Sequence, residues 1–171
     1  MRYSGIAVVC IAAVFVLATA GMAQSAEKIA YVNLSRVFDE YGKTQEYDAV
    51  LSKKQDQYEQ ERNVKLQKIQ EAQGKLSLLK EAEKTKLQEQ IDTDRNALLE
   101  FDRQQQTDLR RERDEKIREI LLEIEKVVRE FAEKGQYSLV LNDKVLIYGA
   151  ESFEITEPII KILNEKYSGK K

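Results

Sequence analysis

The chain has no histidine, no tryptophan, one cysteine and one proline. Without histidine, most zinc and haem sites and the commonest general acid–base chemistry are excluded. The lone Cys10 has no partner within the chain for a disulfide, so stability must come from packing or from association of subunits. Seven glycines and 34% charged residues leave few helix breakers in a strongly charged chain, which is the composition of long solvated helices. Disorder is the rival reading of so much charge. Leu, Ile and Val recurring at helical spacing through the charged region argue against it.

What is present begins with a leader. Residues 1–26 carry one charge, Arg2, and an apolar run from Ile6 to Ala20, shorter than the roughly 20 residues a helix needs to cross a bilayer. Small residues at Ala18, Ala20, Gly21, Ala23 and Ala26 make this a secretory signal peptide cleaved after Ala23 or Ala26, with an uncleaved anchor as the alternative. Cys10 lies mid-run behind Val9, which is not a lipidation context, and cleavage removes it. The other 145 residues hold 27 basic and 30 acidic side chains, a net charge of −3, too near neutral to point to nucleic acid.

Lys28 to Asn33 is a short β-prone run, and Ser35 is placed to cap a brief helix ending near Tyr41 and Gly42. From Lys43 to Lys134 there are 92 residues with one glycine and no proline, which predicts helix throughout. Its second half has a seam: Leu87, Ile91, Asp94, Leu98, Phe101 and Gln105, then Ile117, Ile120, Ile124, Val127 and Phe131, alternate steps of three and four as in a coiled coil. Asp102 to Lys116, between these blocks, offers only Leu109, and the first half of the helix is weaker still. After Gly135, Tyr137–Leu141 and Val145–Tyr148 around Asn142-Asp143-Lys144 read as a β-hairpin. Thr156 is placed to cap a last helix with Ile159, Ile160, Ile162 and Leu163 on one face and Pro158 in its first turn.

The three strands need one another, since a hairpin alone is marginal in water. They meet only if the long helix folds back as a hairpin, and the change from weak to strong seam puts the turn at Leu79–Lys84. Arms of roughly 37 and 50 residues would then project about 55 to 75 Å. The fold expected is α+β, mostly α, in three parts: the leader at 1–26, a β-rich oligomerisation body from 27–42 and 135–171, and a helical hairpin arm at 43–134. A body of 53 residues is marginal alone and calls for an obligate oligomer. Its interface is assigned to Ile29, Tyr31, Val32, Leu139, Val140, Leu141, Val145 and Ile147.

No enzyme, metal or cofactor is expected. Gly42-Lys43-Thr44 matches the end of a phosphate-binding loop, but Val37 stands where the loop needs its first glycine. Carboxylates two apart on a helix, such as Asp92 and Asp94, point to different faces. Lysines outnumber acids around the proposed tip, at Lys65, Lys68, Lys75, Lys80, Lys84 and Lys86 against Glu71, Glu81 and Glu83.

Lys28-Ile29-Ala30-Tyr31-Val32-Asn33 behind a leader, Gly42, the charged hairpin, Tyr137-Ser138-Leu139-Val140-Leu141-Asn142 and Ile155-Thr156 together resemble the Skp/OmpH family of periplasmic chaperones. The resemblance implies a homotrimer with a small central β-barrel, whose three helical hairpins surround a cavity for unfolded outer-membrane proteins. The chain departs from the strongly basic members of that family in its charge, which weakens the case for lipopolysaccharide or membrane contact.

The first hypothesis is therefore an ATP-independent periplasmic holdase. Its client contacts are assigned to exposed apolar residues Tyr47, Val50, Leu51, Tyr58, Val64, Ile69 and Leu76 of the first arm and Leu98 and Phe101 of the second, with Lys75, Lys80, Lys84 and Lys86 assisting capture. Packing between the arms is the competing role for each apolar residue. The alternative function is a structural coiled-coil adaptor of the cell envelope, which would need a continuous rigid seam.

Overall fold

The computed structural model describes residues 27–168; the expected leader and its cleavage site lie outside them. Strand β1, Lys28–Val32, leads into helix α1, Leu34–Glu40. The cap of α1 is Asn33 rather than Ser35: its Oδ1 accepts the Arg36 N–H at 2.8 Å, and its carbonyl accepts that of Val37 at 3.0 Å. The chain leaves β1 extended at Asn33, so the residue at the strand end is the one positioned to cap.

Only Tyr41, at φ −74° and ψ 121°, interrupts the helical path between α1 and α2, Gly42–Leu76. Helix α3 runs Glu81–Gly135 and ends at Gln136 in the left-handed region, φ 54°. At 1.5 Å per residue, α2 and α3 are about 52 and 82 Å long. Ser77–Lys80 makes the turn, a few residues before the expected position. Lys80 is extended, its carbonyl accepts the Glu83 and Lys84 N–H groups, and Glu81 and Glu83 place negative charge in the first turn of α3. That charge favours a helix start there.

Strand β2, Tyr137–Asn142, pairs parallel with β1, matching Ile29 with Leu139, Ala30 with Val140, Tyr31 with Leu141 and Val32 with Asn142. The expected third strand at Val145–Tyr148 is absent. Asn142 instead accepts the Lys144 N–H and starts a 3-10 turn, Asp143–Val145, which carries the chain away from the β2 edge. The far side of β1 is taken by a bridge between Tyr31 and Glu154, and the Ile155 N–H donates to the Tyr31 carbonyl at 2.9 Å. The sheet of one chain is thus two-stranded among the described residues, with no closed barrel.

Helix α4, Thr156–Ser168, lies against the break at Tyr41. Thr156 is its first residue and fully buried. Its hydroxyl accepts the Asn33 N–H at 2.9 Å and joins the end of β1 to the start of α4, in place of the capping role expected of it. Asn164 accepts the Gly42 N–H at 2.8 Å and donates to the Glu40 carbonyl at 3.1 Å. A Cβ on Gly42 would meet Asn164 at 3.3 Å and Tyr167 at 3.4 Å, so glycine allows this close approach.

The main core gathers Ala30 and Val32 from β1, Val37 and Tyr41, Ile120, Ile124 and Val127 from α3, and Ile155, Ile159, Ile160 and Leu163 around α4. Two interface assignments change here. Val32 is 2% exposed within a single chain, and Val140 packs against the same core. Side chains alternate across a strand, so these two share the inner face while Ile29, Leu139 and Leu141 lie on the other. The core also rests on the α3 seam, beyond the 53 residues first assigned to the body.

Candidate functional site

Each arm is held by apolar packing at its two ends. Near the body the seam of α3 belongs to the main core; toward the tip, Ile69, Ile91 and Leu98 are buried with Leu66, Leu76, Leu87 and Phe101 around them. Between these clusters the contacts are mostly polar, apart from the buried Tyr58 ring against Phe101. Asp102 accepts the Tyr58 hydroxyl at 3.0 Å and pairs with Arg62 at 3.1 Å, and Lys54 pairs with Glu112 at 2.5 Å.

This arrangement sorts the assigned client residues. Tyr58, Ile69 and Leu98 are buried in the arm, and Leu76 and Phe101 pack beside them, so the exposure assigned to these five does not hold. Tyr47 and Leu51 are half-buried. Val50 and Val64 are exposed, Val64 at 68%. Sequence reasoning missed Leu78 at the turn, 83% exposed, Leu99 on α3, and Leu121 and Leu122 nearer the body. Leu99 had a signal: it follows Leu98 directly and so falls off the three-four seam.

Of the tip lysines, Lys84 pairs with Glu81 at 2.8 Å, while Lys75, Lys80 and Lys86 are exposed. Lys65 stands 5.0 Å from the centre of the Phe101 ring and Lys68 pairs with Asp94 at 3.3 Å, so part of the positive charge is spent within the arm.

Where the arm leaves the body, Lys43 bridges Glu119 at 2.7 Å and Glu123 at 2.8 Å. Lys116 holds the other oxygen of Glu119 at 2.7 Å, and the Tyr41 hydroxyl donates to Glu123 at 3.0 Å. Hydrogen bonds from Lys116 and Lys43 lower Glu119 from 4.5 to about 2. Burial first, and the Glu123 carboxylate second, push Tyr41 up to about 12. Burial alone would lower Lys43; its bonds to Glu119 and Glu123 more than offset that and raise it. With Glu119 lowered and Lys43 raised, both keep their charge across the neutral range, and the cluster serves as a structural joint.

The outer side of the sheet is apolar. Ile29, Tyr31, Leu141, Leu146, Tyr148 and Phe153 line a shallow groove of about 330 Å³. Val145 and Ile147 are exposed close by in the chain, Ile147 fully to solvent, and Leu139 is half-exposed on the outer face of the sheet. Of the assigned interface, Ile29, Tyr31, Leu139, Leu141, Val145 and Ile147 therefore remain available at the surface. No cluster of three or more Asp, Glu, Cys or His able to hold a metal occurs among the described residues.

A two-helix hairpin rooted on a parallel strand pair, with a polar middle and an apolar outer sheet face, defines the class of protein. The profile of the Outer membrane protein (OmpH-like) family matches residues 28–163, and the chain belongs to that family. It is 28% identical over 153 residues to the Chaperone protein Skp of Vibrio cholerae serotype O1 (strain ATCC 39315 / El Tor Inaba N16961), covering 84% of this chain and 88% of that one. To the Chaperone protein Skp of Yersinia enterocolitica it is 27% identical over 160 residues, covering 89% and 95%. A crystal structure of an outer membrane chaperone (OmpH-like) from Caulobacter crescentus CB15 superposes with a TM-score of 0.77 at 11% identity, covering 82% of this chain and 85% of that chain. At that identity the likeness is one of fold.

Proposed function

We propose that this protein is an ATP-independent holdase of the periplasm, which keeps unfolded outer-membrane proteins soluble between the arms of an oligomer, in its simplest form a trimer. One observation carries the reading. Val50 and Val64 are exposed on α2 and Leu78 in the turn beyond it, at intervals of fourteen residues, which within the helix is about 21 Å at 1.5 Å per residue. A helical partner needs an apolar contact every three or four residues. Contacts this sparse suit an extended chain, which can touch several at once and hold each weakly. Leu99 adds a fourth on α3, and the exposed Lys75, Lys80 and Lys86 attract acidic segments at the tip.

The OmpH-like family and the chaperone names of the relatives support the client class. The apolar outer face of the sheet supports an oligomer, because a patch built from Ile29, Leu139, Val145, Ile147 and Tyr148 is larger than scattered surface apolar residues. Release needs no nucleotide: many weak contacts give way as the client folds into its membrane. The test is aggregation of an unfolded β-barrel protein diluted from urea, with and without the mature chain, alongside mass measurement of each mixture. Suppression by one oligomer per client is expected. Unchanged aggregation at a threefold excess of oligomer, or capture of a folded partner alone as an adaptor requires, overturns the reading.

A further inference from the structure

The ion pairs joining the arms share one polarity. Lys43, Lys54, Arg62 and Lys68 supply the cation from α2, and Glu119 with Glu123, Glu112, Asp102 and Asp94 supply the carboxylates from α3. Partner positions fall along α3 as they rise along α2, in a single antiparallel register. Lys54–Glu112 and Arg62–Asp102 lie in the stretch between the two apolar clusters, where few side chains can fix register by fitting into the facing helix.

The cations of the three pairs beyond the joint reach into water, Lys54, Arg62 and Lys68 being 43%, 40% and 70% accessible, while their carboxylate partners Glu112, Asp102 and Asp94 are partly covered at 34%, 20% and 20%. Ion pairs whose cation stays in water add little to stability, because that charge is already solvated and a long side chain must be immobilised to make the contact. Like charges brought face to face across an interface are a different matter, since such juxtaposition carries a large penalty and selects against the wrong partner. A basic stripe on α2 therefore does little to strengthen its own hairpin and much to disfavour wrong ones.

We propose that this polarity is a partner code. It commits α2 to α3 in one register and bars α2 from pairing with α2, or α3 with α3, of a second copy of the chain. Arms of identical subunits can then stand side by side without zipping together. The inference rests on the geometry of the hairpin and is independent of the chaperone reading.

The test uses the mature chain, which has no cysteine of its own, with nitroxide labels at Gln57→Cys on α2 and Gln106→Cys on α3, diluted with unlabelled chain. Pulsed electron paramagnetic resonance then reads the separation of the two arms. A neutralised chain (Lys54→Gln, Arg62→Gln, Lys68→Gln) should keep the native distance. A reversed chain (Lys54→Glu, Arg62→Glu, Lys68→Glu) should open by about 5 Å or more, roughly half the 8–10 Å spacing of packed helices. That opening should shrink in about 1 M salt, where charges are screened within about 3 Å. Adding Glu112→Lys, Asp102→Lys and Asp94→Lys to the reversed chain should restore the native distance, and circular dichroism should show unchanged helix content in every variant.

Mixing the reversed chain with one carrying the three lysines on α3 alone should bring α2 labels of the first near α3 labels of the second. Neither variant should show such proximity by itself. A reversed chain at native separation, a neutralised chain as open as the reversed one, an exchanged chain that stays open, or a mixture without contact between chains would each overturn the proposal.

Discussion

The Nζ of Lys43 lies between Oε1 of Glu119 and Oε1 of Glu123, so one cation at the start of α2 spans two successive turns of α3. A lysine at a helix N-terminus faces the positive end of the helix dipole. The two carboxylates from α3 supply there the negative charge that the first turn of α2 lacks.

Acid should loosen this joint. The folded-state pKa of Glu119 lies at about 2, below its ordinary 4.5. Its contribution to stability is therefore complete above pH 4.5 and lost as the pH falls from about 4.5 toward 2. In thermal melts, the difference between the parent chain and Glu119→Gln should be constant above about pH 5, shrink through that window and vanish only below about pH 2.

Substitutions on the two sides of the sheet should separate folding from assembly. Val32→Asp places a carboxylate in the core of a single chain, which costs several kcal/mol, against a total stability of about 5–15 kcal/mol. Loss of cooperative unfolding is expected. Ile147→Asp, on a side chain that meets only solvent within one chain, should preserve the melt and helix content while sedimentation shows a smaller species.

Thr156→Val keeps the side chain's shape but removes the acceptor of the Asn33 N–H. A buried donor left without its partner costs about 1–3 kcal/mol. Chemical denaturation should show an unfolding free energy lower by that amount, read as a lower midpoint at unchanged slope, whereas Thr156→Ser should recover most of the loss.

The arms offer a matched pair. Replacing Val64, Leu78 and Leu99 by serine removes exposed apolar side chains and should change stability by no more than about 0.5 kcal/mol at each site, while reducing suppression of client aggregation several-fold. Ile91→Ala empties a fully buried position and should cost about 2–5 kcal/mol in the distal arm. It would be read as faster amide exchange near residues 66–101 with the body unaffected.

How far these features were legible in the sequence depends on what kind of signal each one leaves. The spacing Ile117, Ile120, Ile124, Val127 says that one face of α3 is buried, and it is. It does not say by what, and three of these residues complete the core of the body. Val145-Leu146-Ile147-Tyr148 has strand propensity, yet the side chain of Asn142 caps a turn just before it, and one local hydrogen bond outweighs four favourable propensities. Among apolar residues on the first arm, composition alone does not separate Ile69, buried, from Val64, exposed. The difference lies in the rotation of α2 against α3, which depends on the register of the whole hairpin.

Tyr41 gives the two legs of the arm unequal mechanical roles. Helix α3 continues unbroken from tip to core, so it acts as a strut whose foot is embedded among Val37, Ile155 and Ile159. Helix α2 is suspended from one extended residue, held in place by Asn164 and the Lys43 joint. A load applied at Leu78 passes down α3 as compression along a continuous rod and reaches α2 as torque about a pivot. Under such a load, the first turn of α2 is the link that yields first, and the arm leans from its root before its shaft bends.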